Sequence, residues 1–325
     1  MIALHRLAYA AVALCACGGA QPAGSAGGAG ADTTTVDGKP ITTLATAQGY
    51  PINIRGDGSG VFWTNHLGGQ VVGLTASGAP KVLADHQDYP LGIAIDQTDV
   101  YWTTLNGGTV VKVARAGGKP VTLASGQFGP SGIALDDGNV YWTNTYAGTV
   151  MTVGKAGGKP QSLATKQATP GGIAVAGGIV YWTNRGTSPD FNNGSVMRLA
   201  KGGAPTAVAT GLADPQGIVA DSAAIYWANH GCAPKFSGAV MTAALDGSAP
   251  SVLASDQQGA QEIAADDTSL YWSNEVEGSV NRIAKRGGTA TTLVRNQQRP
   301  YGVCVDTSYI YWLSYREGST KRIAK

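Results

Sequence analysis

Short apolar segments recur along residues 36–325 at intervals of about forty residues. Each repeat contains an apolar residue, an aromatic residue and a tryptophan in succession, and successive tryptophans lie 39, 40, 40, 45, 45 and 40 residues apart. The seven motifs account for all seven tryptophans and occupy residues 61–65, 100–104, 140–144, 180–184, 225–229, 270–274 and 310–314. A period of this length is typical of repeat proteins in which each repeat is one supersecondary unit.

The polar and apolar pattern inside one repeat predicts four strands, which we name a to d in chain order. A proline, or Ala260 in the sixth repeat, lies twelve residues before each tryptophan and opens a Pro-x-Gly-Ile-Ala-x-Asp sequence. In the third repeat we predict strands over 132–136, 140–144, 149–153 and 161–164, separated by turn-forming residues. Consecutive apolar positions in strand b indicate burial on both faces. The predicted fold class is therefore all-β, a seven-bladed β-propeller of four-stranded antiparallel blades.

The two ends of the repeat region predict how the ring closes. The last repeat ends at residues 321–325, after its strand c, and has no strand d. Residues 37–45, by contrast, match the turn and strand d of the other repeats. We therefore expect the N-terminal strand to complete the last blade, because closure removes an open sheet edge. An open solenoid is the alternative, and it would leave an incomplete unit at each end.

The first 35 residues differ in composition from the rest of the chain, and they indicate the cellular location of the protein rather than its fold. Residues 1–16 combine a basic start with an apolar run and small residues, which is typical of an export signal. Residues 14–17 resemble the lipobox of bacterial lipoproteins, which implies that Cys17 is lipidated; an ordinary signal peptide with incidental cysteines is the alternative. Residues 17–35, rich in Gly, Ala and Ser, predict a flexible tether. We expect an exported protein anchored in the cell envelope, in the outer membrane or at the cell surface rather than in the cytoplasmic membrane.

The Pro-x-Gly-Ile-Ala-x-Asp, Tyr-Trp-Thr-Asn and Gly-Thr-Val sequences resemble the YWTD repeats of low-density-lipoprotein-receptor-type propellers. The resemblance spans residues 36–325 and implies a propeller. In five repeats the chain has Asn after the Thr position, where the family has Asp. We expect the side chain of this Asn to form hydrogen bonds with the local backbone. It also contains seven repeats, whereas the familiar members have six blades. Because propellers host many unrelated functions, the resemblance implies no particular activity.

Two departures from the repeat are candidate binding sites. The b–c loops of repeats four and five are longer than the others and lie on the same face of the ring, where binding groups gather on a rigid scaffold; ordinary loop variation is the alternative. Asn53 and Glu262 replace the repeated Gly of strand a, and Arg55 replaces Ala, which predicts a polar cluster at the channel mouth near Tyr301 or a structural Arg–Glu pair. The candidate loop residues are Arg185, Asp190, Phe191, His230, Lys235 and Phe236.

Composition narrows the expected partners. The formal net charge is +2 and only 14% of residues are charged, so we expect no nucleic-acid partner. An Asp recurs six residues after the opening position in six repeats, and we interpret it as a turn cap, with calcium binding as the alternative. The histidines lack zinc-ligand spacing, so no metal or other cofactor is expected. Whether Cys232 and Cys304 pair stays open.

The sequence favours a monomeric binding or scaffold module that recognises a protein, peptide or glycan and contacts the membrane only through its lipid. No catalytic residue is assigned. The alternative is a propeller enzyme of the lactonase or lyase type, which would use Glu262, Asn53 and a metal in the channel.

Overall fold

The computed structural model describes residues 38–75, 78–233 and 236–325, so Cys17, the expected tether and Lys235 lie outside the described residues. The described residues form strands only. They are β1 (Thr42–Ala45), β2 (Pro51–Gly56), β3 (Gly60–Asn65), β4 (Gln70–Thr75), β5 (Lys81–Ala84), β6 (Pro90–Ile95), β7 (Asp99–Thr104), β8 (Thr109–Ala114), β9 (Val121–Ala124), β10 (Pro130–Leu135), β11 (Asn139–Asn144), β12 (Thr149–Gly154), β13 (Gln161–Ala164), β14 (Pro170–Ala176), β15 (Ile179–Asn184), β16 (Gly194–Ala200), β17 (Thr206–Leu212), β18 (Pro215–Ala220), β19 (Ala224–Asn229), β20 (Gly238–Ala244), β21 (Ser251–Gln257), β22 (Ala260–Ala265), β23 (Ser269–Asn274), β24 (Ser279–Ala284), β25 (Thr291–Val294), β26 (Pro300–Val305), β27 (Tyr309–Ser314) and β28 (Ser319–Ala324).

These strands form seven four-stranded antiparallel sheets, which confirms the predicted seven-bladed propeller. Six blades consist of four consecutive strands, from β2–β5 in blade one to β22–β25 in blade six. The seventh sheet contains β26, β27 and β28 together with β1, and Thr42 of β1 lies opposite Arg322 of β28. The innermost strands contact one another around the whole ring, with β26 packed against β2.

The repeated Gly of strand a allows neighbouring blades to approach closely around the central axis. A Cβ atom added to Gly92 would lie 2.2 Å from the Ser131 carbonyl oxygen, and one added to Gly132 would lie 2.3 Å from the Gly171 carbonyl oxygen. These positions therefore have no room for a side chain, which is the physical reason for the Gly in most repeats.

The tryptophans form the core between blades. Trp102, for example, packs with Phe62 of the preceding blade and with Val111 of its own. In six blades the indole Nε1–H donates to the side-chain oxygen of a glutamine that lies fifteen residues earlier, before strand a. These glutamines are Gln48, Gln87, Gln127, Gln167, Gln257 and Gln297.

The same glutamines explain the Asn of the Tyr-Trp-Thr-Asn motif. The Asn144 Nδ2 atom donates to Gln127 Oε1 at 2.9 Å, so one glutamine oxygen accepts from both Trp142 and Asn144. The expectation of local backbone bonding was therefore wrong at this position, because the acceptor lies on the loop that enters strand a. Blade five has Leu212 instead of glutamine, and Trp227 Nε1 is buried without a hydrogen-bond partner.

The recurring Asp is a turn cap, as predicted, and also joins neighbouring blades. Asp96 Oδ1 accepts the Thr98 backbone N–H at 3.0 Å, while its other oxygen accepts the Tyr101 hydroxyl at 2.9 Å. Lys155 of the next blade completes the arrangement with a 2.9 Å ion pair to Asp96. We call such a pair a blade latch. The latches are Asp57–Arg115, Asp96–Lys155, Asp221–Lys285 and Asp266–Lys325.

Candidate functional site

One end of the ring is formed by the b–c loops and the d–a loops, and we call it the mouth face. In every blade the residue after strand b donates its backbone N–H to the carbonyl of the residue before strand a, as in the 3.0 Å bond from His66 to Tyr50. Each blade therefore places two neighbouring residues on the mouth face, and four of these fourteen residues also line the central channel: His66, Leu105, Thr145 and Arg185. The pairs, in blade order, are Tyr50 and His66, Tyr89 and Leu105, Gly129 and Thr145, Thr169 and Arg185, Asp214 and His230, Gly259 and Glu275, and Arg299 and Tyr315.

The residue before strand a has a left-handed backbone in all seven blades. Two blades use glycine, for which this conformation carries little cost, whereas the other five use side chains. For a non-glycine residue the cost is roughly 1–2 kcal/mol. Such conformations cluster at functional sites, where the surrounding structure holds them in place. The five residues are Tyr50 (φ 59°), Tyr89 (φ 59°), Thr169 (φ 57°), Asp214 (φ 51°) and Arg299 (φ 54°).

A buried chain of alternating charges crosses blades four to seven at the mouth face. We call it the charge arc and define it as Arg185, Asp214, His230, Glu275 and Arg299. Arg185 donates to both carboxylate oxygens of Asp214, at 2.7 and 3.1 Å. His230 lies between the two acids, 3.9 Å from an Asp214 oxygen and 3.1 Å from a Glu275 oxygen. Arg299 forms an ion pair with Glu275, with 2.5 Å between Nε and Oε1.

The hydrogen-bond partners of His230 favour its positively charged form. Its Nε2 atom faces the Glu275 carboxylate and its Nδ1 atom faces the Gly231 carbonyl, each at 3.1 Å. Both partners only accept hydrogen bonds, so both ring nitrogens must carry hydrogen. Burial alone would favour the neutral ring, but the bond to Glu275 and the charges of Asp214 and Glu275 outweigh it and raise the pKa of His230.

A row of tyrosines continues from the end of the charge arc. The Arg299 guanidinium lies 5.9 Å from the Tyr301 ring centroid. The ring centroids of Tyr301 and Tyr315 are 5.0 Å apart, as are those of Tyr315 and Tyr50. Tyr50 is 44% exposed, whereas Tyr301 and Tyr315 are buried. We call Tyr301, Tyr315 and Tyr50 the tyrosine row, and it leads from the rim of the mouth into the channel.

The central channel below the mouth contains a cavity of about 110 Å³ that is partly open to solvent. Asn53, Arg55, Glu262 and Tyr301 all line it, and Arg185 lines it as well. Arg55 donates to Glu262 at 3.1 Å. Burial raises the pKa of Glu262, and the charge of Arg55 opposes that shift. The predicted polar cluster and the structural Arg–Glu pair are thus the same group of residues.

His66 occupies the position equivalent to His230 in blade one, but its surroundings are different. It is 1% exposed and packs edge-on against Tyr89, with 4.8 Å between ring centroids. Its Nδ1 atom lies 3.2 Å from the Pro90 carbonyl, so this nitrogen carries the hydrogen. Burial lowers the pKa of His66 to about 4, and the ring is neutral at pH 7.

The structure brings four of the predicted loop residues together, leaves Asp190 apart and gives the four different roles. Arg185 and His230 belong to the charge arc, whereas Asp190 is exposed. Phe191 is 1% exposed and lies under the Arg185 guanidinium, 5.1 Å from ring centroid to Cζ, so it supports Arg185 instead of projecting into solvent. Phe236 is partly buried and packs edge-on against His230 at 5.7 Å.

The two cysteines within the described part of the chain do not form a disulfide with each other. Cys232 donates from its thiol to the Phe191 carbonyl at 3.4 Å, which connects the loops of blades four and five. Cys304 is buried on strand a of blade seven, and burial raises the pKa of its thiol.

Sequence reasoning missed Asp214, Glu275 and Arg299, which complete the charge arc. A signal was present in the repeat itself. The residue three positions after each tryptophan and the residue before each opening Pro or Ala differ from blade to blade, although the motif around them is nearly constant. Internal comparison of the repeats would therefore have identified the mouth positions, because a shared backbone with varied side chains is typical of a binding surface.

Exposed apolar side chains surround the same opening. Seven large hydrophobic residues of the described chain are exposed, and four of them lie on mouth-face loops. The other three lie on the outermost strands of blades one, two and five. The mouth-face residues are Tyr50, Leu67, Phe128 and Val276.

The described residues also bear on membrane insertion and metal binding. No helix there is long and apolar enough to span a bilayer. No group of three or more His, Cys, Asp or Glu side chains within the same residues is arranged to hold a metal ion.

No protein-family model and no curated protein matches the chain, but solved structures match its fold. A catalytically inactive variant of virginiamycin B lyase from Staphylococcus aureus, solved with quinupristin, is 15% identical and has a TM-score of 0.73, covering 88% of this chain and 99% of the lyase. A gluconolactonase from Xanthomonas campestris is 14% identical with a TM-score of 0.60, covering 89% of this chain and 91% of that one. A chain of the nidogen/laminin complex is 17% identical with a TM-score of 0.54, covering 81% of this chain and 88% of that one. At these identities the similarities establish the β-propeller fold of the chain.

Proposed function

We propose that the protein is a non-catalytic binding module that takes its ligand at the mouth face. The observation that carries the proposal is the set of five non-glycine residues with a left-handed backbone around the opening. Glycine occupies the same position in two blades and adopts the left-handed conformation at a lower free-energy cost, so the fold does not require a side chain there. Side chains that are kept around one opening despite the cost of the backbone conformation are typical of a binding site that uses them.

A polypeptide is the favoured ligand. Four of the seven exposed large hydrophobic side chains lie on mouth-face loops, and this concentration on one face supports a protein ligand. The aliphatic side chains of Leu67 and Val276 suit the apolar groups of a peptide better than the hydroxyl-covered rings of a glycan. A glycan ligand remains the second outcome of the experiment below.

The charged groups of the arc are already paired with one another, and this pairing supports binding over catalysis. Arg185, His230 and Glu275 all have charged partners within the arc, and both nitrogens of His230 already donate hydrogen bonds. A histidine in this state has no lone pair with which to accept a proton, so it is not a general base. Paired and buried groups are instead held in place, as preorganised recognition requires.

A lactonase or lyase activity is the second candidate, because solved enzymes of these kinds share the fold. It would use Glu262, whose buried carboxyl lines the channel. The Arg55 guanidinium within 3.1 Å of Glu262 disfavours a cation at that carboxylate. Metal analysis of the purified protein and a hydrolase panel, with Glu262→Gln as the control, test this candidate. Stoichiometric metal together with activity that the variant loses would favour the enzyme.

Affinity capture from native cell envelopes tests the binding proposal. Leu67→Asp and Phe128→Asp place charges on the rim of the mouth, whereas Val82→Asp and Val121→Asp place them at similarly exposed positions on outer strands. We expect the rim variants to lose the captured partner and the outer-strand variants to retain it. Equal capture by all four variants would refute a mouth-face site. A partner released by glycosidase rather than protease treatment would identify a glycan.

We also propose that the propeller is exported, lipid-anchored through Cys17 and monomeric, which would display the mouth face in the cell envelope. The lipobox-like residues 14–17 and the Gly-rich residues that follow support this proposal. Cys17→Ser is expected to release the protein into the soluble fraction, and mass spectrometry of the wild-type N-terminus is expected to find an acylated cysteine. An unmodified wild-type N-terminus at another residue would exclude the anchor.

A further inference from the structure

The charge arc contains more positive than negative charge. Its cations are Arg185, His230 and Arg299, and its two carboxylates are Asp214 and Glu275. The charge of His230 follows from its two acceptor partners at 3.1 Å. All five groups lie in or beside the protein interior, where charges are weakly screened and interact strongly. A net positive charge of this kind attracts an anion to the mouth.

The two arginines at the ends of the arc converge on one channel residue. Arg185 and Tyr301 both line the channel, and Arg299 lies beside Tyr301, with 5.9 Å between its guanidinium carbon and the ring centroid. The Arg299 Nη2 atom donates to the Tyr301 hydroxyl at 3.5 Å, so the hydroxyl hydrogen is directed away from Arg299. Burial raises the pKa of Tyr301, which keeps this hydroxyl a hydrogen-bond donor.

We propose that the mouth binds an acidic peptide, with one side-chain carboxylate held by the Arg185, Arg299 and Tyr301 end of the channel. This inference deepens the proposed function and rests on it. Guanidinium groups bind carboxylates with charge-assisted hydrogen bonds, and the tyrosine hydroxyl adds a neutral donor. The tyrosine row, which reaches solvent at Tyr50, provides an aromatic wall along which the rest of the peptide packs.

The probes for the test are three blocked dipeptides, N-acetyl-Phe-Glu-amide, N-acetyl-Phe-Gln-amide and N-acetyl-Phe-Lys-amide, with glucuronate as an acidic sugar. Binding is measured by calorimetry on the wild type and on Tyr301→Phe and Arg299→Gln. The matched control is Arg316→Gln, because Arg316 lies in the b–c loop of the same blade and is exposed. Circular dichroism establishes that each variant is folded, and Tyr301→Phe removes only one hydroxyl if Arg299→Gln is unstable.

We expect the Glu peptide to bind roughly 10-fold or more tightly than the Gln peptide, since hydrogen bonds to charged groups are the stronger ones. The preference should shrink several-fold in Tyr301→Phe and Arg299→Gln, persist in Arg316→Gln and weaken as salt is raised. Equal affinity for the Glu and Gln peptides, or no binding of either, would overturn the inference. Competition by glucuronate alone would overturn the peptide assignment. Capture that still depends on Leu67 and Phe128 would leave the mouth-face function intact in each of these cases.

Discussion

At the scale of single residues, two histidines at equivalent places in the repeat have opposite chemistry. His66 follows strand b of blade one and is buried without a charged partner, so burial favours its neutral form even though the Pro90 carbonyl opposes this effect. His230 follows strand b of blade five and faces two carboxylates, so its charged form is favoured. The backbone hydrogen bond is the same in both cases, and the difference arises from Asp214 in the same blade as His230 and Glu275 in the next blade.

His66 should destabilise the protein in acid. Below pH 6.5 the unfolded chain binds a proton at His66, whereas the folded chain resists it until about pH 4. The free energy of unfolding therefore falls as the pH decreases through this window, by about 2–3 kcal/mol at pH 4.5. His66→Phe, which keeps an aromatic ring beside Tyr89, should lose that much less stability between pH 7.5 and 4.5 in urea titrations.

The control for His66 is His86→Phe, because the His86 side chain is 94% exposed. This variant should show the same acid sensitivity as the wild type. His230 has the opposite sign, since its raised pKa gives stability below pH 6.5 that is lost as the pH rises through the folded value. A His66→Phe variant as acid-sensitive as the wild type would contradict the assignment of a neutral buried ring.

The glutamine before strand a should be important for stability. Gln127→Leu would leave the Trp142 Nε1–H without its acceptor and remove one acceptor of Asn144. Burying an unsatisfied donor costs roughly 1–3 kcal/mol, so the free energy of unfolding should fall by about that amount. Urea denaturation monitored by tryptophan fluorescence measures the change. Gln161→Leu, at an exposed position on β13, should change it little.

At the scale of strands and turns, the blade latches join the a–b turn of one blade to the c–d turn of the next, at the end opposite the mouth face. Asp96 accepts from its own turn with Oδ1 and from Tyr101 with Oδ2, and Lys155 of the next blade binds Oδ2 as well. These bonds lower the pKa of Asp96 even though burial alone would raise it. The latch thus connects the turns of two neighbouring blades.

Lys155→Met should weaken the latch between blades two and three. Lys155 and Asp96 are both about three-quarters buried or more, so their pair is worth more than a surface ion pair, on the order of 1–2 kcal/mol. Lys159→Met, in the exposed part of the same turn, is the matched control. The difference between the variants should shrink as the pH falls from the ordinary Asp value of 3.8 towards the lowered pKa of folded Asp96, where protonation finally removes the pair. Identical unfolding curves at pH 7 would show that the latch is unimportant.

The strands were predictable from the sequence, whereas the partners of their turn residues were not. In blade three the predicted strands differ from β10, β11, β12 and β13 by two residues at most. Local alternation and turn residues contain that information. The Lys155 partner of Asp96 comes from another repeat 59 positions later, and its position depends on the packing of blades, which local patterns do not encode.

At the scale of the whole molecule, closure of the ring depends on the pairing of β1 with β28. Thr43 lies opposite Lys321, so cysteines at these two positions should form a disulfide on oxidation when Cys232 is replaced by Ser. The cross-link should raise the unfolding temperature, because it closes nearly the whole chain into one loop. Asn281 is the equivalent position in blade six, and Thr43→Cys with Asn281→Cys should stay reduced. Equal oxidation of both pairs would contradict this closure.

The candidate site was only partly predictable for the same reason. Arg185, His230, Arg55 and Glu262 stood out because they interrupt a repeat, and interruptions can be read from one sequence. Asp214 and Arg299 lie before strand a, at positions that vary in every blade, and only ring geometry brings them to Arg185 and Glu275. The burial of Phe191 likewise depends on its neighbour in blade five, Asp214, whose backbone N–H donates to the Phe191 carbonyl at 2.8 Å.

Site-specific photo-crosslinking tests the mouth-face proposal most directly. A photoreactive phenylalanine analogue is placed at Phe128, which is 52% exposed at the mouth, or at Asp137, which is exposed on the opposite end of the same blade. Both proteins are irradiated in native envelopes and the cross-linked products are identified by mass spectrometry. The expected result is one polypeptide partner joined to position 128 and absent from position 137. A partner joined only to position 137, or equally to both, would contradict the account.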